Sequence, residues 1–473
     1  MNPYVWMLLH TTTLLRDCLG CQHARKSALW TISLKEEVEK FVAPSQDTAA
    51  QVQSWLALNN LTSSALTAVG DWIAVDMAVS HRLLAAEFST FQNEETDHTV
   101  DRTLSYAIPS ILKSGINTIY PTVTFRGSEQ IGFCCKRDAT VQYTLRAFLN
   151  RLQMLNVLAV SGFSNVFANK HDLKAFLEEF RPHMNPNIMF DLISIDGGIN
   201  NQLPAGASIS GTIVIQYATG LATGVAVSYI STGPLDSDDT LAAFLQQANY
   251  LVSSATPPQT IVNTFPGLEC EVSPQIAESL CNAYAQLAAR NISYIVDTGL
   301  WGAGGIPFAE CIPFDPPFPA SCPFVTATTQ PKPRGPLSGG GLPNFFKRPK
   351  YQDAAVAAYV KTIGADASSP LNVSGRAVPD VSAMNGATWI ADGTLIDFAS
   401  TTAFSVDIFA GAVALLTNER IANGAAFNDM LTGIPGSNPG CGDTVFNATE
   451  GWDPVTGFGS LNYTKLRDVC SKF

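Results

Sequence analysis

The chain has 473 residues, with 28 Lys and Arg against 40 Asp and Glu, so its net charge at pH 7 is −12. This acidic balance argues against nucleic acids and anionic membrane surfaces as partners, because both bind basic surfaces. Only 14% of the residues are charged, against about 25% in average proteins. The apolar fraction of 46% is large enough for a sizeable core. We therefore expect a folded monomer without a nucleic-acid or membrane partner.

The N-terminal segment matches a secretory signal poorly. The apolar run Val5–Leu9 has no Lys or Arg before it and is interrupted by His10, whereas a signal peptide has a basic start and about 7–15 unbroken apolar residues. Five N-x-S/T sequons point to export instead, and several Cys residues in loop-rich stretches could pair if the chain is secreted. The sequons are at Asn60, Asn291, Asn372, Asn447 and Asn462. The Cys residues are Cys270, Cys281, Cys311, Cys322, Cys441 and Cys470, and the sequence leaves their pairing open.

The first quarter of the chain predicts a small α+β domain over residues 30–110. Residues 1–29 before it are the predicted N-terminal tail. Residues 111–140 after it contain Gly and Pro without a helical stripe, which is typical of a linker. The spacing and alternation of apolar residues predict helices at Leu34–Val42, Thr48–Leu58 and Ser80–Phe88 and a strand at Asp71–Val79.

Residues 141–473 have the pattern of an α/β domain. Apolar strands alternate with helices, which predicts a parallel sheet with helices on both faces. Ligand and catalytic groups are then expected beyond the carboxyl ends of the strands. The predicted strands are 155–160, 188–196, 224–231, 260–265 and 292–299, and the predicted helices are 170–180, 212–222, 241–255, 273–290 and 405–423.

A Gly-rich loop near the C-terminus carries an Asp at each end, Asp429 and Asp453. Hard cations such as calcium prefer oxygen ligands, and a Gly-rich loop can turn its carbonyl groups inward. Taken alone, this pattern favours solvated loop carboxylates over a metal site.

Several motifs together resemble the sedolisins, the serine-carboxyl peptidases that include kumamolisin and the tripeptidyl peptidases. FND and GWDPVTGFG in the C-terminal loop are similar to the calcium-binding end of that family. The resemblance runs from about residue 30 to the end and implies a subtilisin-like peptidase domain behind a small α+β prosegment. The other motifs are EEVEKFVAPSQDT (36–48), GDWIAVDMAVS (70–80), VSGFSNVFANKHDLKAFLEEFRP (160–182), FPASCPFVTA (318–327), SGGGLPNFFKRPKYQDAAV (338–356), SGRAVPDVSA (374–383) and IFAGAVALLTNERIANG (408–424).

The resemblance also implies where the catalytic residues would stand, and all four positions are replaced. SGTIVIQY, in the register set by Gln216 and Tyr217, places Ser210 and Val214 where the family has a Glu and an Asp on one helical face. TGLWG places Leu300 at the position of the oxyanion Asp, and TTAFSVDIFAG places Ala403 at the position of the nucleophilic Ser.

Relocated catalysis is the alternative. Ser405 follows the nucleophile position by two residues, and Asp297 and Asp407 lie near two of the replaced positions. Two residues correspond to about 200° around a helix, so Ser405 is expected to face elsewhere. A Ser without a general base within hydrogen-bond reach is also a poor nucleophile.

The calcium motif, by contrast, is kept. The resemblance implies one Ca²⁺ ion, held by side-chain oxygens of Asp429 and Asp453 and by the backbone carbonyls of Met430, Thr449 and Gly451. Thr449 stands where the family usually has Gly, and it completes the Asn447 sequon.

These expectations lead to three hypotheses about function. The preferred one is a calcium-stabilised peptidase homologue that binds peptides or proteins without cutting them. The second is an acid tripeptidyl peptidase with relocated catalytic residues. The third is a decayed or misassembled gene product, which the odd N-terminus and the weakly matching stretch 125–155 support. The resemblance implies a secreted or vacuolar–lysosomal location and a prosegment that active relatives remove themselves in acid.

Overall fold

The computed structural model describes twenty segments of the chain. They are residues 4–9, 35–76, 83–92, 99–123, 156–163, 166–203, 209–233, 240–300, 302, 316–330, 339–364, 372–383, 387–398, 402–423, 431–432, 437–439, 445–447, 449, 451–461 and 467.

Eight α-helices, three short 3-10 helices and twenty-one strands are present in these segments. The helices are α1 (Lys35–Val42), α2 (Gln46–Leu58), α3 (Lys170–Phe180), α4 (Ile209–Leu221), α5 (Thr240–Ser253), α6 (Pro274–Ala289), α7 (Asp353–Ile363) and α8 (Thr402–Asn423). The strands are β1 (Tyr4–Leu9), β2 (Ser63–Ala65), β3 (Trp72–Asp76), β4 (Ser89–Gln92), β5 (Thr99–Arg102), β6 (Ile116–Tyr120), β7 (Val157–Gly162), β8 (Asp191–Ile195), β9 (Ala226–Thr232), β10 (Thr260–Asn263), β11 (Gly267–Leu268), β12 (Ser293–Asp297), β13 (Pro317–Phe318), β14 (Thr326–Thr329), β15 (Val381–Ser382), β16 (Ala387–Ala391), β17 (Thr394–Phe398), β18 (Leu431–Thr432), β19 (Ser437–Pro439), β20 (Val445–Asn447) and β21 (Ser460–Leu461).

The chain divides into two compact units. The first contains Met1–Gly132, Asp236–Pro257 and Cys270–Asn291, and the second contains the rest. The first unit has an antiparallel sheet in the order β2-β3-β1-β6, covered by α2. Helices α5 and α6 belong to this unit as well, and α6 lies against β6.

Two strands of the first sheet lie outside the predicted α+β domain. Tyr4–Leu9, which the sequence analysis placed in the tail, forms β1 and pairs with both β3 and β6. Ile116–Tyr120, which it placed in the linker, forms β6. Both are short apolar runs, and their pairing partners lie far away in the sequence, so local patterns carry no sign of the sheet they complete.

The second unit is built on a nine-stranded sheet in the order β18-β21-β15-β14-β12-β10-β7-β9-β8. Every neighbouring pair is parallel except β18 with β21. The predicted α/β fold with a parallel sheet is therefore confirmed. Helices α4 and α8 pack on each other and on the central strands, and their contact is filled by Val214, Val406, Ala410 and Val413.

The ends of the helices follow from their sequences. Asn169 precedes α3, and its side chain accepts the backbone N–H groups of His171 and Asp172, so it satisfies two of the donors that the first turn leaves open. Ser273 precedes α6 in the same way and accepts from Ile276, with Pro274 at the first helical position. Within the described segments, no helix is long and apolar enough to cross a membrane.

Candidate active site

Helices α4 and α8 carry three of the four residues that the sequence analysis assigned to catalytic positions. Ser210 lies half-buried in the first turn of α4, and Ala403 lies half-buried at the start of α8. Val214, one turn after Ser210, is 1% exposed and belongs to the core between the two helices. Leu300 is half-buried just beyond β12. These positions carry one hydroxyl and three hydrocarbon side chains, so they supply no acid or base.

Ser405, the candidate relocated nucleophile, is fully buried. Its Oγ donates a hydrogen bond to the backbone carbonyl of Ala383 at 2.9 Å, just beyond the end of β15. A hydroxyl that is enclosed and directed at a backbone carbonyl is not placed to attack a substrate.

A hairpin formed by β16 and β17 lies against α4. The Gln216 side chain binds the backbone of Ile390 from both ends: its Nε2 donates to the carbonyl at 2.7 Å, and its Oε1 accepts from the N–H at 3.1 Å. The Tyr217 hydroxyl donates to the carbonyl of Thr388 at 3.1 Å. Trp389 packs with Ile213 and Phe404. Gln216 and Tyr217, which set the register of α4 in the sequence analysis, thus hold this hairpin in place.

The tip of the same hairpin is tied to α3. The carboxylate of Asp172, 1% exposed, accepts the backbone N–H groups of Asp392 and Gly393 at 3.1 Å each. Both tip residues have positive φ angles, +49° and +68°, which suits a tight two-residue turn. Hydrogen bonds from side chains of α3 and α4 therefore hold both the strand and the tip of this hairpin.

Two further carboxyl groups, Asp297 and Asp407, lie at the carboxyl edge of the sheet. Asp297 ends β12, is 3% exposed, and accepts the N–H of Gly299 at 2.9 Å. Asp407 lies in the second turn of α8 and is fully buried. Burial, reinforced by the charge of Asp297, raises the pKa of Asp407 well above its ordinary value. The sequence analysis noted both residues only as neighbours of replaced positions. An Asp inside the otherwise apolar stretch of α8 was the sequence signal that Asp407 lies in unusual surroundings.

The C-terminal loop carries part of the expected calcium site. The Asp453 carboxylate is buried and accepts the backbone N–H groups of Thr449 at 3.2 Å, Val455 at 2.9 Å and Thr456 at 2.8 Å. Burial raises its pKa although these hydrogen bonds oppose the rise. Gly451 has a φ of +91°, a conformation that favours glycine.

The carboxylate of Asp453 is already engaged in the described part of this loop. A carboxylate has about four lone-pair sites, and Asp453 accepts from three backbone N–H groups and from the Thr456 hydroxyl at 3.1 Å, so a cation bound by Asp453 would take the place of one of these hydrogen bonds. The hydroxyl of Thr449 is buried without a hydrogen-bond partner among the described residues, which adds an unused oxygen beside Asp453. Asp429 and Met430, the other two expected ligands, lie outside the described residues.

A family model described as Pro-kumamolisin, activation domain, matches residues 27–125. This range includes α1, α2 and most of the first sheet. The prediction of a prosegment in the N-terminal part is thereby confirmed.

Curated relatives match almost the whole chain. Tripeptidyl-peptidase SED2 of Arthroderma otae is 28% identical over 92% of this chain and 86% of its own length. Probable tripeptidyl-peptidase SED3 of Trichophyton verrucosum is 28% identical over 92% of this chain and 85% of its own length. Among solved structures, Pseudomonas sedolisin, a serine-carboxyl proteinase complexed with two molecules of pseudo-iodotyrostatin, is 18% identical. The match covers 66% of this chain and 91% of the sedolisin chain, with a TM-score of 0.48.

Proposed function

Because the chain belongs to the sedolisin family of serine-carboxyl peptidases, we propose that it is a peptidase homologue that binds peptides or proteins without cleaving them. One observation carries the proposal: the positions that match the family's Glu, two Asp and nucleophilic Ser hold Ser210, Val214, Leu300 and Ala403. The proposed protein is exported, keeps its prosegment and is stabilised by one calcium ion in the C-terminal loop.

The proposed loss of activity follows from what each position would have to supply. A general base or acid contributes about 10²–10⁴-fold to a rate, and Val214 is packed in the core where the family's Asp would stand. Stabilisation of the oxyanion contributes about 2.7–4 kcal/mol, and Leu300 has no proton to donate. Without a hydroxyl at Ala403 there is no nucleophile for these groups to assist.

We expect the purified chain to release no product from N-terminal tripeptide reporter substrates between pH 3 and pH 7. A sedolisin-family tripeptidyl peptidase assayed in parallel is the positive control. The triple variant Ser210→Glu, Val214→Asp, Ala403→Ser should also stay inactive, since Leu300 leaves the oxyanion without its acid. Turnover that copurifies with the chain and disappears in Ser405→Ala would refute the proposal in favour of relocated catalysis.

The binding part of the proposal is tested separately. Fluorescence anisotropy of a labelled peptide with a free N-terminus, titrated with the full chain, is expected to saturate. If circular dichroism shows that the protein is folded and it neither binds the peptide nor cleaves it, a decayed gene product is favoured instead.

Calcium is expected to raise the melting temperature of the chain, because an ion that binds only the folded state stabilises it by RT ln(1 + [L]/Kd), which is about 2.7 kcal/mol at 100 times Kd. Asp453→Asn should blunt this rise, whereas Asp353→Asn, an exposed acid on α7, should leave it unchanged. A melting temperature that stays constant across a calcium titration of the unsubstituted chain would contradict a calcium site.

Export is supported by disulfide-bonded Cys residues and by exposed glycosylation sequons. Cys281 and Cys322 are each disulfide-bonded, which requires an oxidising compartment. Among the sequons, Asn60 and Asn291 are exposed and available for a glycan. The amide of Asn372 instead donates to the carbonyl of Pro343 at 3.0 Å, so this sequon is less suited to glycosylation than those at Asn60 and Asn291.

A further inference from the structure

Asp407 is a carboxyl group enclosed in the second unit without a hydrogen bond. It lies in the second turn of α8 and is fully buried. Neither of its Oδ atoms has a hydrogen-bond partner among the described residues. By contrast, the buried carboxylates of Asp172 and Asp453 accept two and three backbone N–H groups. Buried polar side chains are usually paired in this way, so Asp407 needs a separate explanation.

The part of α8 around Asp407 is apolar. Residues three and four positions apart share one face of a helix. On the face of Asp407 these neighbours are Ala403 and Phe404 in the turn before it and Ala410 and Gly411 in the turn after it. Phe404 and Ala410 are themselves fully buried. The helix therefore surrounds the carboxyl group with hydrocarbon.

Few titratable groups lie on the elements that pack against α8. Those elements are α4, β7, β10, β12 and β14, and they contain no Lys, Arg or His. Their titratable side chains are Tyr217 on α4 and Tyr294 and Asp297 on β12. The Tyr217 hydroxyl already donates to a backbone carbonyl of the β16–β17 hairpin at 3.1 Å. Burial, followed by the charge of Asp297, raises the pKa of Asp407 well above 3.8.

A neutral Asp407 fits these surroundings better than an ionised one. The neutral acid leaves one O–H and one C=O unpaired, whereas the ionised form would bury a full negative charge without a hydrogen bond. The dipole of α8 offers little compensation, because its effect fades within the first turn and Asp407 lies in the second. The folded unit therefore keeps a proton on Asp407 at pH values at which the unfolded chain has released it.

We propose that Asp407 is a pH sensor of the second unit, which folds around the neutral acid and loses stability as the pH rises from acid to neutral. The element that this ionisation destabilises is α8, which also carries Ala403 and Ser405 near its start. In an acidic compartment the proton stays in place and the helix keeps its packing. The inference goes beyond the proposed function, since it requires neither peptide binding nor a calcium ion.

The direction of the effect follows from proton linkage. Below pH 3.8 both the folded and the unfolded state hold the proton, and the stabilisation by the neutral acid is fully present. Between pH 3.8 and the raised pKa of folded Asp407, unfolding releases one proton, so each rise of one pH unit increases the unfolding equilibrium constant about tenfold. Asp71 and Asp453 also have raised pKa values. The effect of Asp407 is therefore measured as a difference between variants.

The test compares urea unfolding of the full chain with that of Asp407→Asn at pH 4, 5, 6 and 7 in calcium-containing buffer. Tryptophan fluorescence is a suitable signal, because Trp389 packs against Phe404 of α8. The unfolding constant of the unsubstituted chain, divided by that of Asp407→Asn, is expected to rise by up to about tenfold per pH unit. Asp407→Leu, a second uncharged variant, should give the same trend. Asp353→Asn removes an exposed acid and should behave like the unsubstituted chain.

Two results would overturn the inference. One is the same pH dependence of unfolding in the unsubstituted chain and in whichever of Asp407→Asn and Asp407→Leu folds. The other comes from infrared difference spectra of the folded proteins at pH 5. The unsubstituted chain is expected to show the C=O band of a protonated carboxyl group that Asp407→Leu lacks, and absence of this band would mean that Asp407 is ionised in the folded state. Neither result depends on Asp453 or on a bound peptide.

Discussion

Held at pH 4, the purified chain is expected to keep its full mass of 50.6 kDa for hours. The resemblance to the sedolisins implies that active members remove their prosegment in acid with their own catalytic groups. This chain has a prosegment, but Ala403 offers no hydroxyl to begin the reaction and Val214 no carboxylate to assist it. Intact mass, followed by mass spectrometry at several protein concentrations, is the measurement.

The contacts of the first unit explain why the prosegment should remain bound. Arg290, at the end of α6, donates through its guanidinium to the carbonyls of Val252 and Ser254 at 2.8 Å each, at the end of α5. Burial lowers the pKa of Arg290, and the nearby carboxylates of Glu39 and Glu36 on α1 oppose this. The prosegment helix α1 thus supplies negative charge beside a guanidinium that joins α5 to α6.

A mixing experiment separates self-processing from processing by another enzyme. Added acid protease should cut after β6, near residues 124–140, where Gly127 and Gly132 interrupt the sequence pattern, and convert the chain into two fragments of lower mass. Cleavage there by the pure chain, at a rate that does not depend on its concentration, would mean that a working catalytic site exists. The proposal of an inactive homologue would then fall as well.

The α/β fold could be predicted because its signals are local. Each strand of the second sheet from β7 to β12 is an apolar run between helices with clear periodicity, and the parallel order follows from the alternation. By contrast, β1 and β6 have no such neighbours. Their place in the first sheet depends on pairing with Trp72–Asp76, more than 60 residues from β1 along the chain. Patterns confined to a short window carry no information about such pairing.

In the candidate site, too, some features could be predicted from the sequence and others could not. The four residues assigned to catalytic positions follow from motifs in the sequence and stay a prediction, whereas the contacts of Gln216 and Tyr217 with the hairpin are visible only in the structure. The relation between Asp297 and Asp407 could not be predicted, because 110 residues separate them and no motif links them. The packing of α8 on β12 brings these two acids close enough for the charge of Asp297 to raise the pKa of Asp407.

A second large effect is expected in the core of the second unit. Arg376 is fully buried, and its guanidinium donates to the Asp380 carboxylate and to the carbonyl of Val325. Asp380 also accepts the backbone N–H of Ala327 at 2.8 Å and the side-chain amide of Gln352 at 3.2 Å. One carboxylate thus neutralises a buried charge and joins β14 to the segment before β15.

Asp380→Ala is expected to lower the free energy of unfolding by about 3–5 kcal/mol, because removing one partner leaves the other charge buried without compensation. Asp353→Ala provides the matched control. Asp353 also accepts from an Arg, at 2.8 Å from Nε of Arg348, but it is 54% exposed. Solvent screens that pair, so its loss should cost about 1 kcal/mol or less. Urea unfolding followed by tryptophan fluorescence measures both. Equal losses in the two variants would show that burial of Arg376 does not decide the strength of its ion pair.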